Sequence, residues 1–491
     1  MTLATAFRTA FRTAFRTGIR GPIRAGSRTR IGAGFLASFR VGFGGARHAR
    51  SMLLGLAMVS AALLAMAHQA RAQSIIFDDE IEELLKDYAQ PILKAANLGQ
   101  GNVAMRIIND RSFNAFVLDG RNVFINTGLI MQAETPNQVI GVIAHEVGHI
   151  DGAHLAALRS EMQRMQTGMM VTRILGIAAA VLARSGAAVV AADDLWLKTF
   201  LARRRSQESS ADQAGLRFLE MTGQSGRGML ETFERLGMEN RAYGINPYLL
   251  SHPTERTRIA QLRQKAEASP FFNAKDKPDL QLRHDLVRAK LRGFTFPVQD
   301  VLRIYPAENK SLPARYARAI ASNCSGNCTK AIGLIDDLIK ERPNSPYFWE
   351  LKGHVYSKEG KFAQAVPNIR QALKLGGNRS HLLRMELAKA IVEGGNVSQY
   401  AEAIRILEVS IDTRPDDIGG YRTLARAYAA VGRVADADVA MAQAHLIGGD
   451  PKQAIIFARR AQRGLPQGSR GWLKADDIIK TLPRELRERG G

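Results

Sequence analysis

The sequence predicts a mainly α protein with a small β-sheet in its first half, followed by an all-α solenoid of paired helices. Three observations predict it. A hairpin pattern at 114–126 is followed by a capped, apolar helical run at 135–150. Beyond about residue 310, small and aromatic residues recur at fixed offsets in helix-sized units. The length, 491 residues, allows more than one domain with its own core.

Taken in order, residues 1–72 form an arginine-rich leader and a signal peptide. They hold eleven arginines, no lysine and no acid, which leaves +11 of the formal +22 on the remaining 419 residues. Arg47 and Arg50 precede the apolar stretch from Met52 to Ala67, and Ala70-Arg71-Ala72 is a small-x-small cleavage pattern. The apolar stretch is short for a stable membrane span. The near-tandem "TAFRTAFRTAFRTGIR" reads as low-complexity sequence ahead of a true start near Val41 or Met52, with an organelle transit peptide as the alternative. The basic excess of the body suits solubility or an anionic lipid surface. No basic stretch there is interleaved with stacking aromatics, so no nucleic-acid partner is expected.

Residues 73–270 read as one domain. "NAFVL" (114–118), Asp119-Gly120 and "RNVFIN" (121–126) suit two strands around a tight turn. Thr135, Pro136 and Gln138 are an N-cap, a first-turn proline and a capping-box partner. Val139, Ile140, Val142, Ile143, Val147 and Ile150 then predict a buried helix. Met162, Met165 and Met169 form a core-like stripe. Residues 174–192 are apolar but broken by Arg184, Ser185 and Gly186, so a small-residue helical hairpin is preferred to a membrane span. Such a hairpin could cover the site or make peripheral membrane contact.

Residues 271–309 read as a linker, 310–480 as repeats and 481–491 as a tail. Trp349, Gly353, Tyr356, Gly360, Phe362, Ala365, Ile369 and Ala372 stand at tetratricopeptide offsets, and Tyr421, Ala425, Tyr428, Gly432, Ala437, Met441 and Ala444 repeat them. Ala403, Leu407 and Pro415 keep only the second half of an eroded unit. Ala319, Ala331 and Pro343 suggest a weaker unit upstream, and Ala454, Ala461 and Pro466 a degenerate end. Three to four repeats are expected, forming a concave surface for protein partners. Cys324 and Cys328 are the only cysteines. Their spacing allows a disulfide in an oxidising compartment, or two separate small thiols.

The chemistry centres on "HEVGH". On a helix, His145 and His149 lie four residues apart and face one way, so both can hold one Zn²⁺ per chain. Glu146 is placed as the general base that activates water and passes its proton to a leaving amine. A catalytic zinc needs a third protein ligand. His154 is nearby, but a continuing helix would carry it about 140° away from His149, which predicts a surface position or one behind the ligands. Glu208, 59 residues past His149, is the expected third ligand. Asp212, one turn later, can accept a hydrogen bond from a ligand histidine. In "LLSHPTERTRI", His252 can donate to an oxyanion or fill the fourth metal position at rest, and Arg258 can stabilise charge or anchor the loop.

Together "NAFVL", "VFINTGLI", "VIAHEVGHI", "ESSADQAG" and "SHPTERTR" resemble the gluzincin family of HtpX-type and CAAX prenyl-protease-type metallopeptidases. The resemblance covers about residues 75–270. It implies His145, His149 and Glu208 as zinc ligands, Glu146 and His252 as catalytic, and Asn114, Ala115 and Phe116 on an edge strand that pairs with extended substrate. The combination of export and repeats is similar to a periplasmic branch of that family. That branch implies cleavage of misassembled outer-membrane proteins, a chaperone-like role and docking on the β-barrel assembly machinery. The competing expectations are a chaperone or scaffold with latent protease activity, and an integral-membrane quality-control protease.

Overall fold

The structure, a computed structural model, describes residues 74–99, 101–164, 187–243, 248–249, 252–253, 256–377 and 380–482. The leader, the signal peptide, Met165 and Met169 of the methionine stripe, and residues 174–186 of the expected hairpin lie outside these residues.

Among the described residues the fold begins with β1 (Ile75–Ile76) and helix α1 (Asp79–Ala95), followed by β2 (Ala104–Ile108), β3 (Ala115–Val117) and β4 (Asn122–Asn126). The sheet order is β1-β2-β4-β3, with β2 and β4 parallel and the other pairs antiparallel. The expected hairpin is β3–β4. Phe116 stands opposite Phe124 with rings stacked 5.3 Å apart, which fixes the register. Gly120 takes the left-handed conformation the turn requires (φ 73°), and Asp119 accepts hydrogen bonds from the Arg121 and Asn122 amides.

Behind the sheet pack α2 (Thr127–Gln132), α3 (Pro136–Asp151), α4 (Ala187–Met221), α5 (Arg227–Tyr243) and α6 (Arg256–Ala268). Val139, Ile140, Val142, Ile143 and Val147 of α3 are all buried, as the periodicity requires, while Ile150 is partly exposed. The second arm of the expected hairpin is the start of α4 and runs unbroken into the segment carrying Glu208. Arg203 of α4 pairs with Glu161 at 2.7 Å, across the stretch between 164 and 187. Met162, read as core, is exposed. No helix among the described residues is long and apolar enough to cross a membrane.

The segment read as a linker is instead structural. It contains α7 (Pro278–Thr295) and α8 (Val298–Ile304), and α7 packs on both halves of the molecule. His284 of α7 is fully buried between Tyr88 and the Ala133 carbonyl. Lys290, also buried, reaches Asp78 at 2.8 Å and Glu80 at 3.0 Å. Asp78 additionally caps α1 by accepting from the Ile81 amide. Polar residues such as Asp285, Arg288 and Arg292 disguised α7, because they alternate with buried positions that face two different cores.

Five helix pairs follow: α9 (Leu312–Cys324) with α10 (Cys328–Glu341), α11 (Pro346–Lys358) with α12 (Phe362–Leu375), α13 (His381–Glu393) with α14 (Tyr400–Thr413), α15 (Ile418–Ala430) with α16 (Val434–Ile447), and α17 (Pro451–Gly464) with α18 (Arg470–Thr481). That is more than the three to four repeats expected. In the eroded unit, Leu383, Leu387 and Ile391 fill the core in place of the consensus residues. The arc touches the first domain at several points. Tyr316 donates to Glu80 at 3.0 Å, Arg414 lies 4.2 Å over the Phe77 ring, and Tyr347 and Ser380 bond Glu83 and Asp79.

Cys324 and Cys328 are not joined by a disulfide in this structure. Cys328 is buried at the start of α10, with its sulfur 3.0 Å from the Glu359 carboxylate. That contact turns it towards the next repeat.

Candidate metal centre

Helix α3 is capped as expected. Thr135 accepts from the Gln138 amide at 3.4 Å, and the Gln138 side chain accepts from the Glu134 amide at 2.8 Å. From this fixed start the helix turns His145 and His149 to one side, their Nε2 atoms 3.1 Å apart and their rings edge-on.

The partner face comes from α4, and small residues let the helices meet. A Cβ on Gly148 would fall 2.6 Å from the Ala211 carbonyl oxygen, and one on Gly215 would fall 3.1 Å from the backbone of Ala144. This near backbone contact carries Glu208 and Asp212 to the histidines. Glu208 lies 3.4 Å from His145 Nε2 and 3.5 Å from His149 Nε2. Asp212 lies 2.9 Å from His145 Nδ1. His252 enters from the loop before α6, its Nδ1 3.1 Å from Glu208 and 3.3 Å from His145 Nε2. One ligand atom from each of His145, His149, Glu208 and His252 lies within 4.8 Å of all the others.

The donors fit a metal. Three imidazole nitrogens and a carboxylate form the nitrogen and oxygen set that borderline divalent ions prefer. Glu146 Oε1 and His252 Nε2 are buried without a hydrogen-bond partner and sit 3.5 Å from each other. Unsatisfied buried polar atoms of this kind mark functional sites.

Charge is distributed unevenly. Burial opposes a proton on His145, but Asp212 and Glu208 outweigh it and lift its pKa to about 9. Burial pushes His149 well below the ordinary value and raises Glu146. Burial also disfavours ionised Glu208, yet His252 and His145 hold its carboxyl far below the usual range. Arg258 does the same for Asp212 against its burial.

Arg258 is an anchor. It grips Asp212 through Nε (2.5 Å) and Nη2 (2.8 Å), bonds the Pro253 carbonyl at 2.9 Å and lies 3.1 Å from Glu208. Of the two roles open to it in the sequence, the geometry favours holding the His252 loop against α4. Ala115 and Phe116 lie on β3, the edge strand of the sheet. Asn114 precedes β3 and accepts from the Asn126 amide at 3.0 Å.

His154 lies behind the ligands and not at the surface, although it reaches that place by another route than a continuing helix. It is 9% exposed and does not point away, because α3 does not continue: its Nδ1 lies 2.9 Å from His149 Nδ1. Sequence reasoning also missed Tyr248, stacked on His252 at 4.6 Å, and Phe233, edge-on to His145 at 5.4 Å. Nothing in their local pattern marks them. Gly148 and Gly215 were visible inside the quoted motifs, but their purpose is clear only once the two helices are paired.

A buried helix carrying His-Glu-x-x-His, with a carboxylate from a second helix beside it, defines a metallopeptidase. Residues 77–266 match the model of peptidase family M48. The chain is similar to the beta-barrel assembly-enhancing protease of Yersinia pestis, 24% identical over 438 residues covering 86% of this chain and 87% of the relative. It is also 25% identical over 430 residues to the beta-barrel assembly-enhancing protease of Escherichia coli (strain K12), covering 84% and 85% of the two chains. Among solved structures, a tetratricopeptide repeat protein from Parabacteroides merdae aligns over 51% of this chain and 98% of its own, at 17% identity and TM-score 0.27. MamA MSR-1 aligns over 35% of this chain and 98% of its own, at 19% identity and TM-score 0.30.

Proposed function

We propose that this chain is an exported, periplasmic, zinc-dependent endopeptidase acting on misfolded or misassembled proteins of the envelope, with a repeat arc that docks protein partners. One observation carries the reading: His145, His149, Glu208 and His252 converge within 4.8 Å, with Glu146 alongside. His145, His149 and Glu208 are the ligands. The ion would supply Lewis acidity at the scissile carbonyl. Glu146, its pKa raised by burial, takes a proton from the attacking water and delivers it to the leaving amine. β3 offers its free edge to an extended peptide. The relatives' name, beta-barrel assembly-enhancing protease, supports outer-membrane proteins as substrates and the β-barrel assembly machinery as the docking partner.

A second reading, a chaperone-like scaffold with latent activity, draws on His252. Four protein donors make a closed set, whereas a catalytic set keeps three donors and one open position. His252 at the fourth corner is therefore a resting arrangement, and cleavage requires it to withdraw. The test is hydrolysis of an unfolded protein by the mature chain with stoichiometric zinc. Cleavage that survives chelation, or a chain that takes up no zinc, overturns the proposal. His252→Ala is expected to raise basal cleavage; a fall would instead make His252 a donor to the reacting oxygen.

A further inference from the structure

The two histidines of α3 are held differently from behind. His145 Nε2 faces the cluster, and its Nδ1 meets the Asp212 carboxylate at 2.9 Å. His149 Nε2 also faces the cluster, and its Nδ1 meets His154 Nδ1 at 2.9 Å. We infer that His154 is a positioning residue: its Nδ1 accepts the Nδ1–H of His149, fixing the tautomer and ring angle that present His149 Nε2 to the metal. The inference rests on the reading of the cluster as a zinc site. A histidine bound to metal through Nε2 carries its proton on Nδ1, and that proton needs an acceptor. His154 supplies it as a neutral imidazole with its own proton on Nε2.

The backbone is built for this contact. Helix α3 stops at Asp151, and Ala153 adopts a left-handed conformation (φ 49°) that residues with a side chain seldom take. Glycine would be the usual residue there. The left-handed turn reverses the chain and brings residue 154 back over the last turn of the helix. Gly152 is needed for a different reason. Its own φ is ordinary, but a Cβ there would fall 2.3 Å from His154 Nε2 and 2.7 Å from Cδ2. The ring of His154 therefore occupies the place of a side chain at residue 152. A strained non-glycine residue and an obligate small residue flank one hydrogen bond to a ligand. Strain of this kind persists where the surroundings require it.

The test is zinc affinity by chelator competition, with the melting temperature of the metal-free chain as a control. His154→Phe keeps the ring and removes the acceptor, and should weaken zinc binding by about 10- to 100-fold. His154→Asn, whose Oδ1 can stand where Nδ1 stands, should restore most of the affinity. Wild-type affinity in the Phe variant overturns the inference. So does an Asn variant as weak as the Phe variant at equal melting temperature, since restoring an acceptor would then restore nothing. If the Phe variant does not fold, Gly152→Ala reads the same bond by displacing the ring, and unchanged affinity there overturns the inference as well. A wild-type chain that binds no zinc instead overturns the metallopeptidase proposal itself.

Discussion

The two halves of the molecule bury their helices by opposite means. Around α3 and α4 the interior holds His145, Glu146, Glu208, Asp212, His252 and Arg258, none more than 8% exposed. In the repeat arc the interior is almost wholly Ala, Leu, Ile and aromatic residues, each pair resting on the next. A buried charge is tolerated only when its partners are in place, so the first half is organised around one centre. The second half is organised by repetition, and its core positions can be exchanged between neighbours. The contrast teaches why one repeat can erode without loss of the arc, whereas the site depends on contacts that have no substitute.

That difference predicts where damage is absolute. Glu146→Gln removes the base and should lower the cleavage rate by about 10²- to 10⁴-fold, with zinc content and melting temperature unchanged. Cleavage at the wild-type rate would refute the assigned base.

The junction between the halves comes next. Lys290→Met leaves Asp78 and Glu80 buried without their cation and should cost about 3–5 kcal/mol of stability by denaturant unfolding. A change below 1 kcal/mol would show that the halves are not coupled through this lysine.

The junction also sets a pH dependence. Burial holds His284 neutral and lowers its pKa from 6.5 to about 4. Between these values the unfolded chain binds the proton more readily. His284 therefore does not reduce stability above pH 6.5, and its destabilising effect grows as pH falls from 6.5 to 4, reaching about 3 kcal/mol. His284→Gln can keep a donor to Ala133 and should flatten that part of the melting profile. An unchanged slope would assign it to other groups.

The smallest effect compares two close-packed glycines. At Gly148 an added methyl meets the Ala211 backbone, which cannot give; at Gly353 the atom met is Ile369 Cγ1, at 2.6 Å, in a side chain that can turn. Gly148→Ala should cost about 1–3 kcal/mol and perturb zinc binding, and Gly353→Ala less. The reverse order would overturn the contrast between a fixed centre and an adaptable arc.

Much of this was legible in the sequence because the relevant signals are local. The Thr135 cap, the proline after it and the 3.6-residue period place His145, Glu146 and His149 on one buried helix without reference to the rest of the chain. Glu208 and Asp212 were readable as an i, i+4 pair, since one helix face presents both. Conserving the offsets of aromatics and alanines likewise exposed the repeats, and the hairpin showed in its Asp-Gly turn. The reading of α7 failed because its buried positions are split between two neighbours and interspersed with charges, so no single apolar stripe marks the helix until both neighbours are present. The five helix pairs exceeded the three to four repeats expected because the weak unit around Ala319 and Ala331 and the degenerate end around Ala454 and Ala461 also fold as helix pairs.

By itself, then, the sequence determined the periodic elements and the residue types of the metal site, because helix geometry relates residues three and four apart whatever surrounds them. Tertiary structure alone decided the rest. It set Gly148 against Ala211 so that Glu208 could reach the histidines, and it brought His252 into the cluster, its loop held by Arg258, which grips Asp212 and the Pro253 carbonyl. It also returned His154 to His149 by a left-handed turn at Ala153 that helix extrapolation does not foresee. These contacts join residues distant in sequence, or depend on where a helix stops, and packing across the whole domain determines both.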